Sequence, residues 1–320
     1  MIRPDCFNSP FAALMADFIA HKRMQGYTYC TQADKLRLFD RFIIEQNCPG
    51  GILRGDVFRR YQASIAELAP GTREGYLVVV RVFSRYLQAL RPESAVMPVN
   101  LEPRHPRSIR FHPFTPEQIR KLMEAALDLN MRYPFGSHVI RFLIGLLYST
   151  GLRISEALNI KLSDVDLSRG TLYVRRGKFS KDRLVALTPS VVEAVSDWLQ
   201  LRSHHAPTAL SAPLLPGGMD RRLTYAQSHA AFKTLCCQCG LHGDPPPRLH
   251  DLRHGFACRC IARWREAGKD VQALLPVLAN AMGHVSILST QFYVHLDAAE
   301  LQPASIRFKN HFNANKENKS

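Results

Sequence analysis

Apolar side chains recur at helical spacing near the start of the chain, where Phe11, Leu14, Met15, Phe18 and Ile19 share one face. The basic run His21, Lys22 and Arg23, followed by Gly26, predicts the end of that helix. The same period returns around Leu36, Phe39 and Ile43, and again through Tyr76, Val80, Phe83, Leu87 and Leu90. No alternating strand pattern interrupts these runs, so residues 1–91 read as a compact helical unit.

The periodicity then stops. Between Arg91 and Pro116 there are six prolines and four arginines, and no hydrophobic period survives, which predicts an extended linker over residues 92–113. The next unit, 114–320, opens sharply. Thr115 and Gln118 have the spacing of a capping box around Pro116, with Phe114 and Ile119 placed as a hydrophobic staple. Val139 to Tyr148 is apolar almost all round, as in a helix buried at a domain centre. Thr171–Arg176 and Leu184–Leu187 predict two short strands flanking a polar tip, Gly177–Asp182. Helical patterns follow at Val191–Leu201, Ala226–Leu235, Leu249–Trp264 and after Ser289. The fold class expected is mainly α with a small β-sheet.

Length agrees with that division, because 320 residues suit two domains of roughly 150 residues each. Charge adds a partner class. Forty-two Lys and Arg against 27 Asp and Glu give a formal charge of +15, which favours a polyanion: DNA, RNA or anionic lipid. The stretch Phe142–Tyr148 is far too short to span a bilayer and the N-terminus lacks a signal-peptide pattern, so no membrane role and a cytoplasmic location are expected. Eight scattered cysteines read as reduced thiols rather than a secreted disulfide framework.

Three stretches carry candidate chemistry. In Ser149-Thr150-Gly151-Leu152-Arg153-Ile154-Ser155-Glu156 a glycine turn leads from the buried helix into another helix start, and Arg153 offers a fork of donors that matches phosphate oxygens. Taken singly, Arg153 and Glu156 are equally a structural ion pair one turn apart. In His250-Asp251-Leu252-Arg253-His254, His250 and Arg253 share a helix face, presenting a proton-transfer group beside a second guanidinium, although such residues are often only solvated surface. The third is Met282-Gly283-His284 with Gln291-Phe292-Tyr293-Val294-His295, where a tyrosine would ordinarily be a packed amphipathic side chain.

In this order the three stretches resemble the tyrosine recombinases, the family of phage integrases and Xer-type recombinases. Thr150–Glu156 is similar to that family's first arginine box, His250–Arg253 to its His-x-x-Arg box, and Gly283-His284 with Tyr293 to its C-terminal box. The hairpin tip Gly177-Lys178-Phe179-Ser180-Lys181 falls where the family places its catalytic lysine, with Lys178 the first choice and Lys181 the other. Phe179 stands where glycine is frequent, and Gly255 replaces the usual Ser or Thr. The resemblance implies an N-terminal helical core-binding (SAM-like) domain ahead of an α+β catalytic domain.

It implies chemistry as well. Tyr293 would attack a DNA phosphodiester and form a covalent 3′-phosphotyrosyl link, in integration, excision or resolution. Attack spreads negative charge over the non-bridging oxygens, so positioned cations and donors must supply most of the catalysis; Arg153, Arg253 and His284 are given that clamp. A phenol of reference pKa about 10 needs help to lose its proton, and His250 is the candidate. Lys178 would protonate the leaving 5′-oxygen, and Glu156 would orient the basic site. The covalent link conserves the energy of the broken bond, so no cofactor and no metal are expected. The cysteines and histidines from Cys236 to Cys260 lack the usual zinc spacings. Double-stranded DNA is the expected partner, with Arg81 and Arg85 as phosphate contacts and a homotetramer on two DNA sites, or an assembly with related recombinases, as the working form. A type IB topoisomerase or a non-catalytic, regulatory DNA-binding protein are the alternatives.

Overall fold

A computed structural model describes residues 6–99, 111–175, 182–218, 221–284, 290–291 and 293–294. The chain divides into two compact units, Met1–Ser108 and Ile109–Ser320.

The first unit holds four helices: α1 (Ala12–Met24), α2 (Cys30–Glu45), α3 (Gly55–Ser64) and α4 (Pro70–Leu90). Their inner faces build one core, in which Phe18, Leu36, Phe39, Phe58, Val80, Phe83 and Leu87 are wholly buried. The first, second and fourth helices lie where the apolar period predicts them, and Gly26 follows the first at φ +87°, a conformation that favours glycine. The period does not reveal α3. Residues beyond Arg91 still belong to this packing: Met97 is buried, Ser94 Oγ accepts from the Leu53 N–H at 3.3 Å, and the Ala95 N–H donates to Leu53 O at 2.8 Å.

The second unit opens with α5 (Pro116–Ala125), capped as its sequence predicts. The Gln118 N–H donates to Thr115 Oγ1 at 3.2 Å and the Thr115 N–H to Gln118 Oε1 at 3.0 Å, while Phe114 and Ile119 are both buried. Helix α6 (Gly136–Thr150) forms the centre, packed by α5, α8 (Pro189–Ser203), α9 (Tyr225–Gln238) and α10 (Leu249–Glu266). Its Val139, Ile140, Leu143, Ile144 and Leu147 are at most 1% exposed, as expected of a helix apolar all round. A one-turn helix α7 (Ile154–Ala157) follows.

The sheet has three antiparallel strands in the order β1 (Val165–Asp166), β2 (Thr171–Val174), β3 (Arg183–Ala186). Thr171 pairs with Ala186 and Val174 with Arg183, so the predicted hairpin is present, and β1 adds an edge too short to show any period. Its tip, with Lys178 and Lys181, lies outside the described residues. Helix α11 (Val271–Met282) completes the unit, and a second apolar cluster joins Ala257, Ile261, Leu275, Leu278 and Met282 to Tyr293. No described helix is long and apolar enough to cross a membrane.

Candidate active site

Two glycines shape the site. Helix α6 ends on Gly151 at φ +64° and α11 ends on Gly283 at φ +66°. A Cβ on Gly151 would lie 2.4 Å from the Phe256 ring, and one on Gly283 would lie 2.8 Å from Arg183 Nη1. Any other residue at either position would be both strained and obstructed.

Each turn offers carbonyls to arginines. Arg253, on α10 and almost fully buried, donates from Nη1 to Gly151 O at 2.7 Å and from Nη2 to Met282 O at 2.6 Å. Arg153, at the turn between α6 and α7, donates from Nη1 to the same Met282 O at 3.2 Å and from Nη2 to Gly283 O at 2.9 Å. The two guanidiniums thus meet on one carbonyl. Burial, and then the nearby charge of Arg153, lower the Arg253 guanidinium to about 10. The helix start at α7 is a single turn, and its N–H at Arg153 is already taken by Glu156 Oε2 at 2.9 Å; the donors here are side chains.

Glu156 anchors this arrangement from below. Its Oε1 accepts from Arg153 Nη1 at 2.8 Å, and its two oxygens accept from Arg183 Nη1 and Nη2 at 2.9 and 2.8 Å. Burial pushes the Glu156 carboxyl up, but the Arg183 fork, the Arg153 N–H and the Arg153 guanidinium outweigh it and hold the group at about 2. Arg183 also donates from Nε to Ala281 O at 3.0 Å. It therefore fastens the hairpin base to the end of α11 and to Glu156. Sequence reasoning passed over Arg183; its one signal was a basic residue directly after the hairpin tip.

Around the nucleophile candidate the structure collects imidazoles. Tyr293 is 3% exposed, and burial pushes its phenol up to about 12 although Arg253 and Arg153 pull it down. The His284 ring stacks on Tyr293 with centroids 6.2 Å apart, and its Nδ1 lies 2.8 Å from Thr290 Oγ1. The imidazole that touches the Tyr293 hydroxyl belongs to His254, through Nδ1 at 2.8 Å. His250 sits one step further out, edge-on to His254 at 4.6 Å between centroids. Its side chain is exposed at the rim, yet desolvation by its neighbours and then the Arg253 charge lower its pKa. Arg253 and His254 follow His250 on one turn of α10, whose start is fixed by buried Asp251 accepting the Arg248 N–H at 2.9 Å.

Of the residues predicted from sequence, Arg153, Glu156, His250, Arg253, His284 and Tyr293 converge here, and Lys178 falls outside the described residues. Arg81 and Arg85 lie in the other unit on α4. The Arg81 guanidinium donates to Pro98 O from Nε and Nη2 at 3.1 and 3.0 Å, while Arg85 is exposed. Among the described residues no cluster of histidine, cysteine or carboxylate side chains could hold a metal ion.

The model of the phage integrase family matches residues 113–300, which takes in every element of this site. A putative integrase/recombinase of Sinorhizobium fredii is 38% identical over 230 residues, covering 70% of this chain and 72% of that protein. Tyrosine recombinase XerA of Thermococcus kodakarensis is 29% identical over 265 residues, covering 81% of this chain and 84% of that protein. The fold is shared with XerH site-specific recombinase bound to its palindromic difH substrate in a post-cleavage complex, at a TM-score of 0.66 and 21% identity over 88% of this chain and 80% of that one. The chain belongs to the phage integrase family and is a tyrosine recombinase, an enzyme that breaks and rejoins DNA at specific sites.

Proposed function

We propose that Tyr293 is the nucleophile of this recombinase and that Arg153, Arg253 and His284 hold the scissile phosphodiester of double-stranded DNA against it. The observation that carries this reading is the convergence of two guanidiniums on the Met282 carbonyl beside a buried tyrosine. Two forks of donors suit the pentacoordinate phosphorus of an attacked phosphodiester, whose non-bridging oxygens gain charge as the tyrosine approaches. His250 adds a proton-exchanging group at the exposed mouth of the site. Lys178 on the hairpin gives its proton to the leaving 5′-oxygen, and Glu156, through Arg153 and Arg183, sets the angle of the first guanidinium.

The first unit and linker supply phosphate contacts, Arg85 foremost, and four copies on two DNA sites carry out exchange, with the C-terminal residues 296–312 docking on a neighbour. Those residues, with Leu301, Ile306, Phe308 and Phe312, lie outside the described part of the chain. A type IB topoisomerase would share the nucleophile and clamp, and relaxation of supercoiled DNA lacking a partner site would reveal it. Tyr293→Phe removes only the phenolic oxygen. It should keep DNA binding and lose covalent-complex formation on a suicide substrate; a covalent complex formed by this variant would assign the nucleophile elsewhere.

A further inference from the structure

One buried titratable group beside the nucleophile has no part in the scheme above. His254 is 7% exposed and is enclosed by the rings of Phe111 at 5.3 Å, His250 at 4.6 Å and Tyr293 at 5.6 Å, centroid to centroid. Its Nδ1 is at hydrogen-bonding distance, 2.8 Å, from the oxygen that attacks phosphorus. A general base must first be within reach of the proton it abstracts, and among the described contacts this imidazole meets that condition. We propose that His254 takes the proton from Tyr293 as its oxygen bonds phosphorus and returns it when the strands rejoin. The inference rests on the reading of Tyr293 as the nucleophile.

The electrostatics of the pocket suit such a role. Burial, and then the charges of His250, Arg248, Arg253 and His284, push the His254 imidazole down to about 3. It is therefore neutral at working pH, and in the tautomer that carries its proton on Nε2 the Nδ1 lone pair accepts from the phenol. With the phenol pushed up and the imidazole pushed down, both chiefly by burial, the proton stays on oxygen in the protein without DNA. A bound phosphodiester changes both sides of that balance. Its negative charge beside Arg153 and Arg253 favours an imidazolium nearby. As Oη bonds phosphorus, the oxygen becomes that of an aryl ester and loses its affinity for the proton, so transfer to His254 runs downhill within the step.

The step balances. The Oη–P bond forms as the P–O5′ bond breaks, the 5′-oxygen takes a proton from the hairpin lysine, and His254 keeps the phenol's proton as imidazolium. In rejoining, a 5′-hydroxyl attacks phosphorus and returns its proton to the hairpin lysine, the P–Oη bond breaks, and His254 gives its proton back to the tyrosine.

His254→Asn is the informative variant, since an amide oxygen can occupy the place of Nδ1 and accept a hydrogen bond but cannot take a proton. It should bind DNA normally and form the covalent complex about 10² to 10⁴ times more slowly, the usual range for a lost acid–base group. His254→Ala should be slowed similarly and regain rate as free imidazole is added, which a residue needed only for packing would not show. A rate for His254→Asn within about threefold of the unaltered protein would overturn the proposal. The unaltered full-length protein provides a readout independent of any folding defect: with 5′-bridging phosphorothiolate DNA, whose sulfur leaves without needing a proton, a solvent deuterium isotope effect isolates the transfer from Tyr293. An effect above about two supports the transfer, and an effect of one overturns it. Tyr293→Phe separates the two levels of the argument: if that variant still cleaves, the nucleophile reading itself has failed, and if it is dead while His254→Asn is fast, only the role of His254 has.

Discussion

Replacing Glu156 by glutamine keeps the size of the side chain but removes the negative charge from between Arg153 and Arg183. The cost follows from the carboxyl's own titration. Held at about 2 rather than its ordinary 4.5, it contributes on the order of 3 kcal/mol to folding, at about 1.36 kcal/mol for each pK unit. The side chain is only 4% exposed, so solvent screening removes little of this. Breaking a buried ion pair from one side by other routes gives a similar magnitude, about 3–5 kcal/mol, because the surviving charge is left uncompensated. Here two guanidiniums are left.

The folded-state pKa is depressed, so the stabilisation is complete above about pH 4.5 and is lost as pH falls from there towards 2. The chain has two tryptophans, Trp198 and Trp264, and both lie in the catalytic unit, so urea unfolding followed by tryptophan fluorescence reports on that unit alone. Glu156→Gln should lower its unfolding free energy by about 3 kcal/mol at pH 7. Its stability should also fall less steeply than that of the unaltered protein between pH 4.5 and 2. A loss under about 1 kcal/mol, or an unchanged slope in that window, would refute the view that Glu156 is the electrostatic anchor of the site.

Three further outcomes are expected. Arg153→Ala or Arg253→Ala should reduce covalent-complex formation by about 10² or more, as for other lost transition-state donors, and Arg253→Lys should not restore it, because one ammonium cannot reach both Gly151 O and Met282 O; near-normal single-turnover rates would place these arginines outside the chemistry. DNA affinity should fall steeply with salt, and Arg85→Ala should flatten the log–log slope by about 0.9 while Arg81→Ala does less, since Arg81 already serves the Pro98 carbonyl; equal slopes in a titration of all three proteins would remove Arg85 from the interface. Truncation after Ala298 should abolish two-site complexes and strand exchange with single-site binding intact by gel shift, and a truncated protein that still recombines would show that the C-terminal segment is not the link between copies.

Legibility in the sequence followed the range of the interactions. The capping box at Thr115 is a contact over three residues, and the hairpin is a contact across one turn, so local pattern was enough for both. Helix α3 has only ten residues, with Val57, Phe58 and Tyr61 as its inner face, too few positions to establish a period. Helix α11 carries Pro276 in its interior, which argues against a helix by local rules, and the burial of Leu275, Leu278 and Met282 overrides them. The roles suggested for His254 and Arg183 depend on partners 39 and 27 residues away, Tyr293 and Glu156. Side chains that act through such distant partners leave no spacing to read; His254 had only its place directly after the His-x-x-Arg box as a signal, and Arg183 only its place directly after the hairpin tip.

The way the arginines are held bears on how the site can bind an anion at all. A guanidinium paired with its own carboxylate is well placed but electrically spent, whereas one tethered to carbonyls is well placed and still charged. Arg253 makes only carbonyl contacts among its described hydrogen bonds, at Gly151 and Met282, and Arg153 divides its fork between Glu156 and the carbonyls of Met282 and Gly283. Arg153 and Arg183 share the carboxylate of Glu156 while Arg253 stands near them on carbonyls, so three guanidiniums and one carboxylate leave two positive charges more than negative in a largely buried cluster. Burial first, and then the neighbouring charge of Arg153, lower the Arg253 pKa. Such an arrangement destabilises the protein alone and is relieved by an anion, and it is relieved most by the state in which the anion carries most charge. On the proposed reading that state is the phosphorane-like transition state, so the same uncompensated charge that weakens the free fold is what makes the cleft discriminate the transition state from the resting phosphodiester.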